Sequence, residues 1–212
     1  MSASAAYFDF LILKIKNYIS LNDREVVFVK SLFEEEHFKK NEVILHADNV
    51  CKKLYFIAKG IVRFSQFTED EERTFVFRSE GEFCNNLESF LRKTPSEYNI
   101  ISIEPTTVFS ITYSNLQIFY NELRFGDRFG RIAIENVYTK LINQLITFYS
   151  ETPEQRYTRF ARHHSKLLRR IPQYYIASYI GVTPQALCRI KKKMLNEVRV
   201  SPFVPQLINL AS

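Results

Sequence analysis

The chain has 212 residues, of which 46% are hydrophobic and 25% are charged, a size and composition typical of a folded protein with one medium and one small domain. The positive charge is concentrated near the C-terminus: residues 153–212 carry 11 Lys and Arg against 2 Asp and Glu, a net charge of +9, whereas residues 1–152 carry 18 against 21, a net charge of −3. These features exclude a disordered chain, and with no apolar run long enough to cross a bilayer and no recognisable leader peptide, we expect a soluble, cytoplasmic protein.

The N-terminal part predicts helices followed by a β-rich domain. Two apolar clusters at helical spacing predict short helices, the second one beginning after the N-cap residues of Ser20–Asp23. From Glu36 onwards, short β-branched and aromatic runs alternate with turn residues. The predicted strands are Val43–Leu45, Leu54–Ile57, Ile61–Phe64, Thr74–Phe77, Ile100–Ile103 and Thr107–Ile111. Such closely spaced strands are typical of a sandwich or jelly-roll barrel.

After Tyr113 the pattern becomes helical. One apolar stripe with a three-four spacing follows about four helical turns, and it consists of Ile134, Val137, Leu141, Leu145 and Phe148. A single stripe on a helix between two domains predicts pairing with a second copy of the chain. The alternative is that the stripe packs on the barrel of its own chain. Thr152 and Pro153 end this helix and begin the next one, with proline in the first turn.

The segment Gln173–Lys193 meets the packing requirements of a helix-turn-helix. Ala177 supplies a small residue where the two helices approach, and Gly181 tolerates the positive φ of the sharp turn. The predicted shared core consists of Ile176, Ile180, Val182, Leu187 and Ile190. Thr183 is the expected N-cap of the second helix and Pro184 its first residue, which leaves amides for a phosphate.

The second helix, Pro184–Asn196, is predicted to enter the major groove of DNA. Glutamine pairs well with adenine and arginine with guanine, whereas lysines suit phosphates. The predicted DNA-binding residues are Thr183, Pro184, Gln185, Arg189, Lys191, Lys192, Lys193 and Arg170. An ordinary helical hairpin is the alternative, and the net charge of +9 in this part of the chain argues against it.

These patterns resemble the Crp/Fnr family of bacterial regulators over nearly the whole chain, and Gln173–Met194 is similar to the Bacteroidetes-type form of its motif. The resemblance implies an α+β protein with three parts. They are an N-terminal β-roll (double-stranded, jelly-roll-like) sensor domain of the cyclic nucleotide-binding type in residues 1–115, a long dimerisation helix in residues 116–150, and a C-terminal winged helix-turn-helix domain in residues 151–212. It also implies a homodimer that regulates transcription by reading a pseudo-palindrome in double-stranded DNA, with RNA polymerase as a further partner.

One position and one segment differ from what the resemblance implies for DNA binding. The family's base-reading positions fall on Pro184, Gln185 and Arg189, and Pro184 has no side-chain donor, so we expect it to read bases weakly. The segment Glu197–Ser212 has no strand-turn-strand pattern. We therefore expect a reduced wing.

The family's phosphate-binding cassette is matched at its start by Gly81-Glu82-Phe83, but not at two later positions. Where the resemblance implies a glutamate for the ribose and an arginine for the phosphate, this chain has Asn86 and Ser96. The predicted effector pocket consists of Gly81, Glu82, Phe83, Asn85, Asn86, Leu87 and Ser96. Without a guanidinium the site loses charge-assisted hydrogen bonds to the phosphate, so cyclic AMP is disfavoured and the effector remains unidentified. Arg92 and Lys93, expected on the same loop, are alternative cations.

Other chemistries find little support in the sequence. The cysteines, Cys51, Cys84 and Cys188, have no zinc or disulfide spacing and are too few for four-cysteine iron–sulfur ligation. Cys84, beside the cassette, is either a small hydrophobe or a redox-sensitive thiol. No spacing singles out a haem or metal ligand among the histidines, which are His37, His46, His163 and His164. We therefore expect no cofactor, no metal and no enzymatic activity of the cupin type. The remaining alternative is a regulatory module that binds a protein partner instead of DNA.

Overall fold

The computed structural model describes residues 3–68 and 71–200. The helices are α1 Ala3–Lys16, α2 Asp23–Leu32, α3 Leu87–Arg92, α4 Tyr113–Glu122, α5 Gly126–Ser150, α6 Pro153–His163, α7 Gln173–Ile180 and α8 Pro184–Val200. The strands are β1 Glu34–Phe38, β2 Val43–Leu45, β3 Lys53–Lys59, β4 Ile61–Phe67, β5 Glu72–Ser79, β6 Phe83–Cys84, β7 Asn99–Ser102 and β8 Thr106–Thr112. The chain forms two compact units, Met1–Thr139 and Lys140–Ser212, whose boundary falls within α5.

The first unit is built on two four-stranded antiparallel sheets, with strand orders β1-β8-β3-β6 and β2-β7-β4-β5. Every strand predicted from the sequence is present, because alternating apolar residues and β-branched runs favour a buried sheet. The predicted α+β class with an N-terminal β-roll is therefore confirmed.

Aromatic contacts join the flanking helices to this roll. The ring of Phe10 in α1 lies 5.5 Å from that of Phe56 in β3, edge to face, and the ring of Phe129 near the start of α5 lies 5.8 Å from that of Phe83. Such pairs add to the free energy of burial. The core of the first unit thus extends from α1 through the sheets to the first turns of α5.

An ion pair between a buried arginine and a half-buried glutamate joins β4 to β5. Arg63 is 4% exposed, and its Nη2 donates to both carboxylate oxygens of Glu72 at 2.8 Å, while the Ser65 hydroxyl donates to Glu72 Oε1 at 2.6 Å. Burial by itself raises the pKa of Glu72, but the hydrogen bonds from Arg63 and Ser65 outweigh that effect and hold the pKa below its usual value. Glu72 is therefore ionised at neutral pH, and the pair holds the two strands in register.

Three elements of the first unit were not predicted from the sequence. The edge strand β1, Glu34–Phe38, has the charged sequence EEEHF and owes its conformation to pairing with β8. The strand β6 has only two residues. The segment Leu87–Arg92 is the helix α3, capped by Asn86, so the expectation of a loop carrying Arg92 was wrong.

Three turns of the first unit contain residues in the left-handed region of backbone space. Asn41, Asp48 and Gly60 all have positive φ, the region that Gly, Asn and Asp tolerate best. Gly60 has a second constraint, since a Cβ at this position would collide with Thr106. The tight link between β3 and β4 therefore requires glycine.

The second unit contains a small helical core that includes Tyr157, Phe160, Ile176, Ala177, Ile180, Leu187 and Ile190. The predicted boundary between two helices at Thr152 is confirmed. The Thr152 hydroxyl accepts from the Gln155 amide, the Gln155 side chain accepts from the Thr152 amide, and Pro153 begins α6. Helix α8 extends through Val200, beyond the predicted end at Asn196.

Within the segment of the expected wing, residues 197–200 are therefore helical, and residues 201–212 lie outside the described residues. None of the helices among the described residues is long and apolar enough to span a membrane.

Candidate nucleic-acid interface

The turn between α7 and α8 has the geometry that its sequence predicts. Gly181 ends α7 with φ 76° and ψ 39°, and its amide hydrogen bonds to carbonyls at the end of that helix, which is a left-handed helix cap. The Thr183 hydroxyl accepts from the Ala186 amide at 3.2 Å, so Thr183 caps α8 as predicted. Ala177 is fully buried where the two helices pack. The helices α7 and α8 are therefore joined by a sharp turn at Gly181.

The two faces of α8 differ in character. Leu187 and Ile190 are buried, whereas the side chains of Gln185, Arg189 and Lys192 are exposed. Of the predicted shared core, only Val182 is merely half-buried. The helix thus turns an apolar face to α7 and presents a polar, cationic face to solvent, which is the arrangement that a groove-binding helix requires.

The remaining predicted DNA-binding residues lie around this face. Thr183, Pro184 and Lys193 are exposed. Lys191 is half-buried, and its Nζ lies 3.4 Å from the side-chain oxygen of Gln173 at the start of α7. Arg170 is half-buried in the turn before α7. The structure thus brings the α8 residues onto one helix, with Arg170 on the preceding segment of the same unit.

The predicted dimerisation stripe is exposed on α5. Its five side chains have relative exposures between 38% and 55%, and they are Ile134, Val137, Leu141, Leu145 and Phe148. Ile142, Ile146 and Tyr149 are also exposed on this helix. So much exposed apolar surface on one helix is uncommon for a protein surface that remains in water.

The segment of the predicted effector pocket contains an internal hydrogen-bond network. Asn86 and Ser96 are buried, and Asn86 Nδ2 donates to Ser96 Oγ at 2.8 Å. Asn86 Oδ1 accepts from the Ser89 amide at 3.1 Å, and Ser96 Oγ donates to the Tyr98 carbonyl at 2.7 Å. These atoms would have to break those bonds to contact a ribose or a phosphate. Of the other predicted pocket residues, Leu87 is exposed, whereas Gly81, Glu82, Phe83 and Asn85 are half-buried.

Two cations considered from the sequence have other contacts. Arg92 is on the exposed surface of α3, with Nε 3.7 Å from a Glu88 carboxylate oxygen. Lys93 ends that helix in the left-handed conformation, and its Nζ lies 5.4 Å from the centre of the Tyr113 ring. A cation that sequence reasoning missed is Arg78 in β5, whose charge lowers the pKa of Cys84 against the larger, opposite effect of burial.

The two thiols near the cassette are buried and free of disulfides. Burial raises the pKa of Cys84 to about 12 and also raises the pKa of Cys51. Because the thiolate is the reactive form, this environment favours the small-hydrophobe interpretation of Cys84. Cys188 differs, since it is exposed on α8 beside Arg189. Within the described residues no group of His, Cys, Asp and Glu could hold a metal ion.

Comparison with known proteins places this arrangement in a fold family. Residues 35–122 match the cyclic nucleotide-binding domain family. A solved structure of a Crp/Fnr family transcriptional regulator from Eubacterium rectale superposes with a TM-score of 0.65 at 16% identity, covering 85% of this chain and 88% of that one. The chain has the fold of the Crp/Fnr regulators.

Other solved structures with the Crp/Fnr fold are similar. FixK2 from Bradyrhizobium japonicum has a TM-score of 0.65 at 15% identity over 78% of this chain and 85% of that one. The catabolite activator protein of Thermus thermophilus has a TM-score of 0.51 at 20% identity over 87% of each chain. Comparison with curated protein sequences gives no match. The Crp/Fnr resemblance read from the sequence is thus confirmed for the fold, and the Bacteroidetes-type form of the motif stays a prediction.

Proposed function

We propose that this chain is a sequence-specific DNA-binding transcription regulator of the Crp/Fnr type and not an enzyme. The observation that carries this proposal is the polarity of α8, whose apolar side packs on α7 while Gln185, Arg189 and Lys192 are exposed. In the major groove, Gln185 suits adenine and Arg189 suits guanine, each pairing contributing about 1–3 kcal/mol of discrimination. The lysines suit the phosphates on either side of the groove.

The regulator acts as a homodimer in this proposal. The exposed stripe on α5 supports it, because a helical seam of this kind is buried when two copies pair. A two-fold symmetric dimer reads a pseudo-palindrome whose half-sites lie about one helical turn apart. RNA polymerase is the further partner that such a regulator would contact.

The sensor domain does not bind cyclic AMP in the usual way of its family. The support is chemical: Asn86 and Ser96 occupy the positions for the ribose and phosphate contacts and hydrogen bond to each other. Charged donors bind a buried phosphate more strongly than neutral ones do, and these two side chains carry no charge.

The decisive experiment selects bound sequences from random DNA and then compares two variants on the selected operator. Arg189→Ala should lose discrimination at one base pair of each half-site, at a cost of about 1–3 kcal/mol. Lys192→Ala is the matched control on the same helix, and it should weaken binding to all DNA about equally. If Arg189→Ala kept the full operator preference, the recognition-helix assignment would be wrong.

Salt dependence separates DNA binding from the alternative of a protein partner. Phosphate contacts make the logarithm of the binding constant fall by about 0.9 per neutralised phosphate for each tenfold rise in salt. A flat salt dependence on DNA would favour the protein-binding alternative.

Protection of Cys188 from alkylation can report DNA binding without any mutation. It is exposed on α8, whereas Cys51 and Cys84 are buried, so a small alkylating reagent should modify Cys188 first in the folded protein. Operator DNA should slow that modification by about tenfold or more, since the groove covers this face of the helix. An unchanged rate at saturating DNA would contradict the proposal.

A further inference from the structure

A single arginine links the ends of two helices in the second unit. Arg156 in α6 donates through Nε to the carbonyl of Ile180, the last residue of α7, at 2.8 Å. Its Nη1 donates to the carbonyl of Glu151 at 2.7 Å and lies 3.4 Å from the carbonyl of Phe148 in the last turn of α5. Carbonyls at helix C-termini lack partners within their own helix, and a cation there also interacts favourably with the helix dipole.

The Phe148 ring and this guanidinium both lie against Gly181, the bend of the helix-turn-helix. The guanidinium carbon lies 5.0 Å from the centre of the ring, a cation–π distance. A Cβ at Gly181 would lie 3.5 Å from Cε2 and Cζ of the same ring and 3.8 Å from Arg156 Nη2. Phe148 therefore contacts the turn that sets the direction of α8, in addition to its place on the predicted dimerisation stripe.

A second pair strengthens the junction between α5 and α6. Arg159 donates to the carboxylate of Glu151, directly after α5, and hydrogen bonding from Arg159 lowers the pKa of Glu151. The backbone and the side chain of Glu151 are thus held by two arginines from one helix. The C-terminal turns of α5, the helix α6 and the end of α7 are tied together through polar contacts.

We infer that Arg156 is a positioning residue that fixes the helix-turn-helix relative to the C-terminal turns of α5 and thereby selects the spacing between half-sites. This inference rests on the proposed function for its DNA consequence only. Leu141 and Leu145 of the proposed dimer stripe belong to the same unit as α8. The Arg156 contact therefore connects the surface that pairs two copies to the helix that reads bases.

The first test measures a distance within one chain. Asn143 is exposed on α5 and Cys188 is exposed on α8, so spin labels on Asn143→Cys and on Cys188 report the geometry inside the second unit. Mixing the labelled chain with an excess of unlabelled chain isolates the distances within one copy. Pulsed electron resonance should then give one narrow distance, and Arg156→Ala should broaden it by about twofold or more, because the tied carbonyls are released.

Two further variants sharpen this test. Arg156→Lys should give an intermediate width, since one ammonium cannot reproduce the fork of a guanidinium. The matched control Arg162→Ala removes an exposed arginine from the same helix and should leave the width unchanged. An equal width for Arg156→Ala and the parent, or a broad distribution in the parent itself, would overturn the inference. If Arg156→Ala does not fold, Phe148→Ala should show the same broadening.

The second test uses operators whose half-sites are moved apart or together by single base pairs. Arg156→Ala should reduce the preference for the best spacing by roughly tenfold, because a loose linkage accepts several separations, while affinity for an isolated half-site changes by less than about twofold. Loss of half-site affinity with an unchanged spacing preference would mean a purely structural role and would refute the inference. Failure of the parent to bind any operator would refute the proposed function, and the spin-label widths would still decide the role of Arg156.

Discussion

Replacing Asn86 by alanine should lower the stability of the first unit. The side chain is 5% exposed and makes two hydrogen bonds, one to the Ser89 amide and one to Ser96 Oγ. Loss of a helix N-cap costs about 1 kcal/mol, and loss of the second bond costs about 1 kcal/mol. Ser96 keeps its bond to the Tyr98 carbonyl, which limits the penalty there, while the space left by the amide adds up to about 1 kcal/mol. The expected loss in the free energy of unfolding is therefore about 2–3 kcal/mol.

Urea denaturation of the full chain measures this loss. The sequence has no tryptophan, so circular dichroism is the suitable signal. The free energy of unfolding typically falls by about 2 kcal/mol for each molar of urea. The urea midpoint for unfolding of the first unit should therefore fall by about 1 M. The neighbouring Asn85→Ala is the matched control: Asn85 Nδ2 is buried without a hydrogen-bond partner among the described residues, so its removal should cost less than about 1 kcal/mol. Equal midpoints for the two variants would refute the idea that the cassette is held together by Asn86.

Three other substitutions test separate features. Leu141→Lys places a charge in the exposed apolar stripe and should weaken dimerisation by about tenfold or more; sedimentation that shows an unchanged mass would remove the dimer assignment. Glu72→Gln breaks the pair with Arg63 and should cost about 2 kcal/mol at neutral pH. Because the pKa of Glu72 is lowered in the folded state, its contribution to the free energy of unfolding is present at neutral pH and is lost as the pH falls below the usual value of 4.5. The variant should therefore lose less stability between neutral and acidic pH than the parent does. Parallel profiles of stability against pH would contradict this. Tyr157→Phe removes a buried hydroxyl that has no hydrogen-bond partner among the described residues. In thermal unfolding the variant should therefore be as stable as the parent or more stable by up to about 1 kcal/mol. A clear loss of stability would indicate a hydrogen bond to that hydroxyl.

The sequence predicted those elements whose signals are local. Thr152 and Thr183 precede prolines, which a helix accommodates best in its first turn, and Gly181 is the residue that a sharp helical bend favours. Such short-range rules located α6, α7 and the start of α8. The apolar periodicity likewise separated the exposed side of α8 from its buried side, since side chains three and four residues apart share a face.

Features that depend on distant parts of the chain were not predicted. The strand β1 is too charged to signal a strand and becomes one through pairing with β8. The hydrogen bond between Asn86 and Ser96 joins residues ten apart around α3, and only the cap signal of Asn86 was available from the sequence. The contact of Arg156 with Ile180 spans 24 residues. The sequence shows that Arg156 is one of the basic residues near the C-terminus, but it does not show which carbonyl the arginine contacts.

The exposed apolar stripe on α5 has a consequence for how the proposed regulator would respond in a cell. When two chains must associate before either reads its operator with full affinity, occupancy at low abundance rises with the square of the free chain concentration. A twofold change in synthesis or degradation then produces about a fourfold change in promoter occupancy. A sensor that takes no cyclic nucleotide would leave copy number itself as a signal, with α5 as the element that converts protein dosage into a sharper transcriptional output.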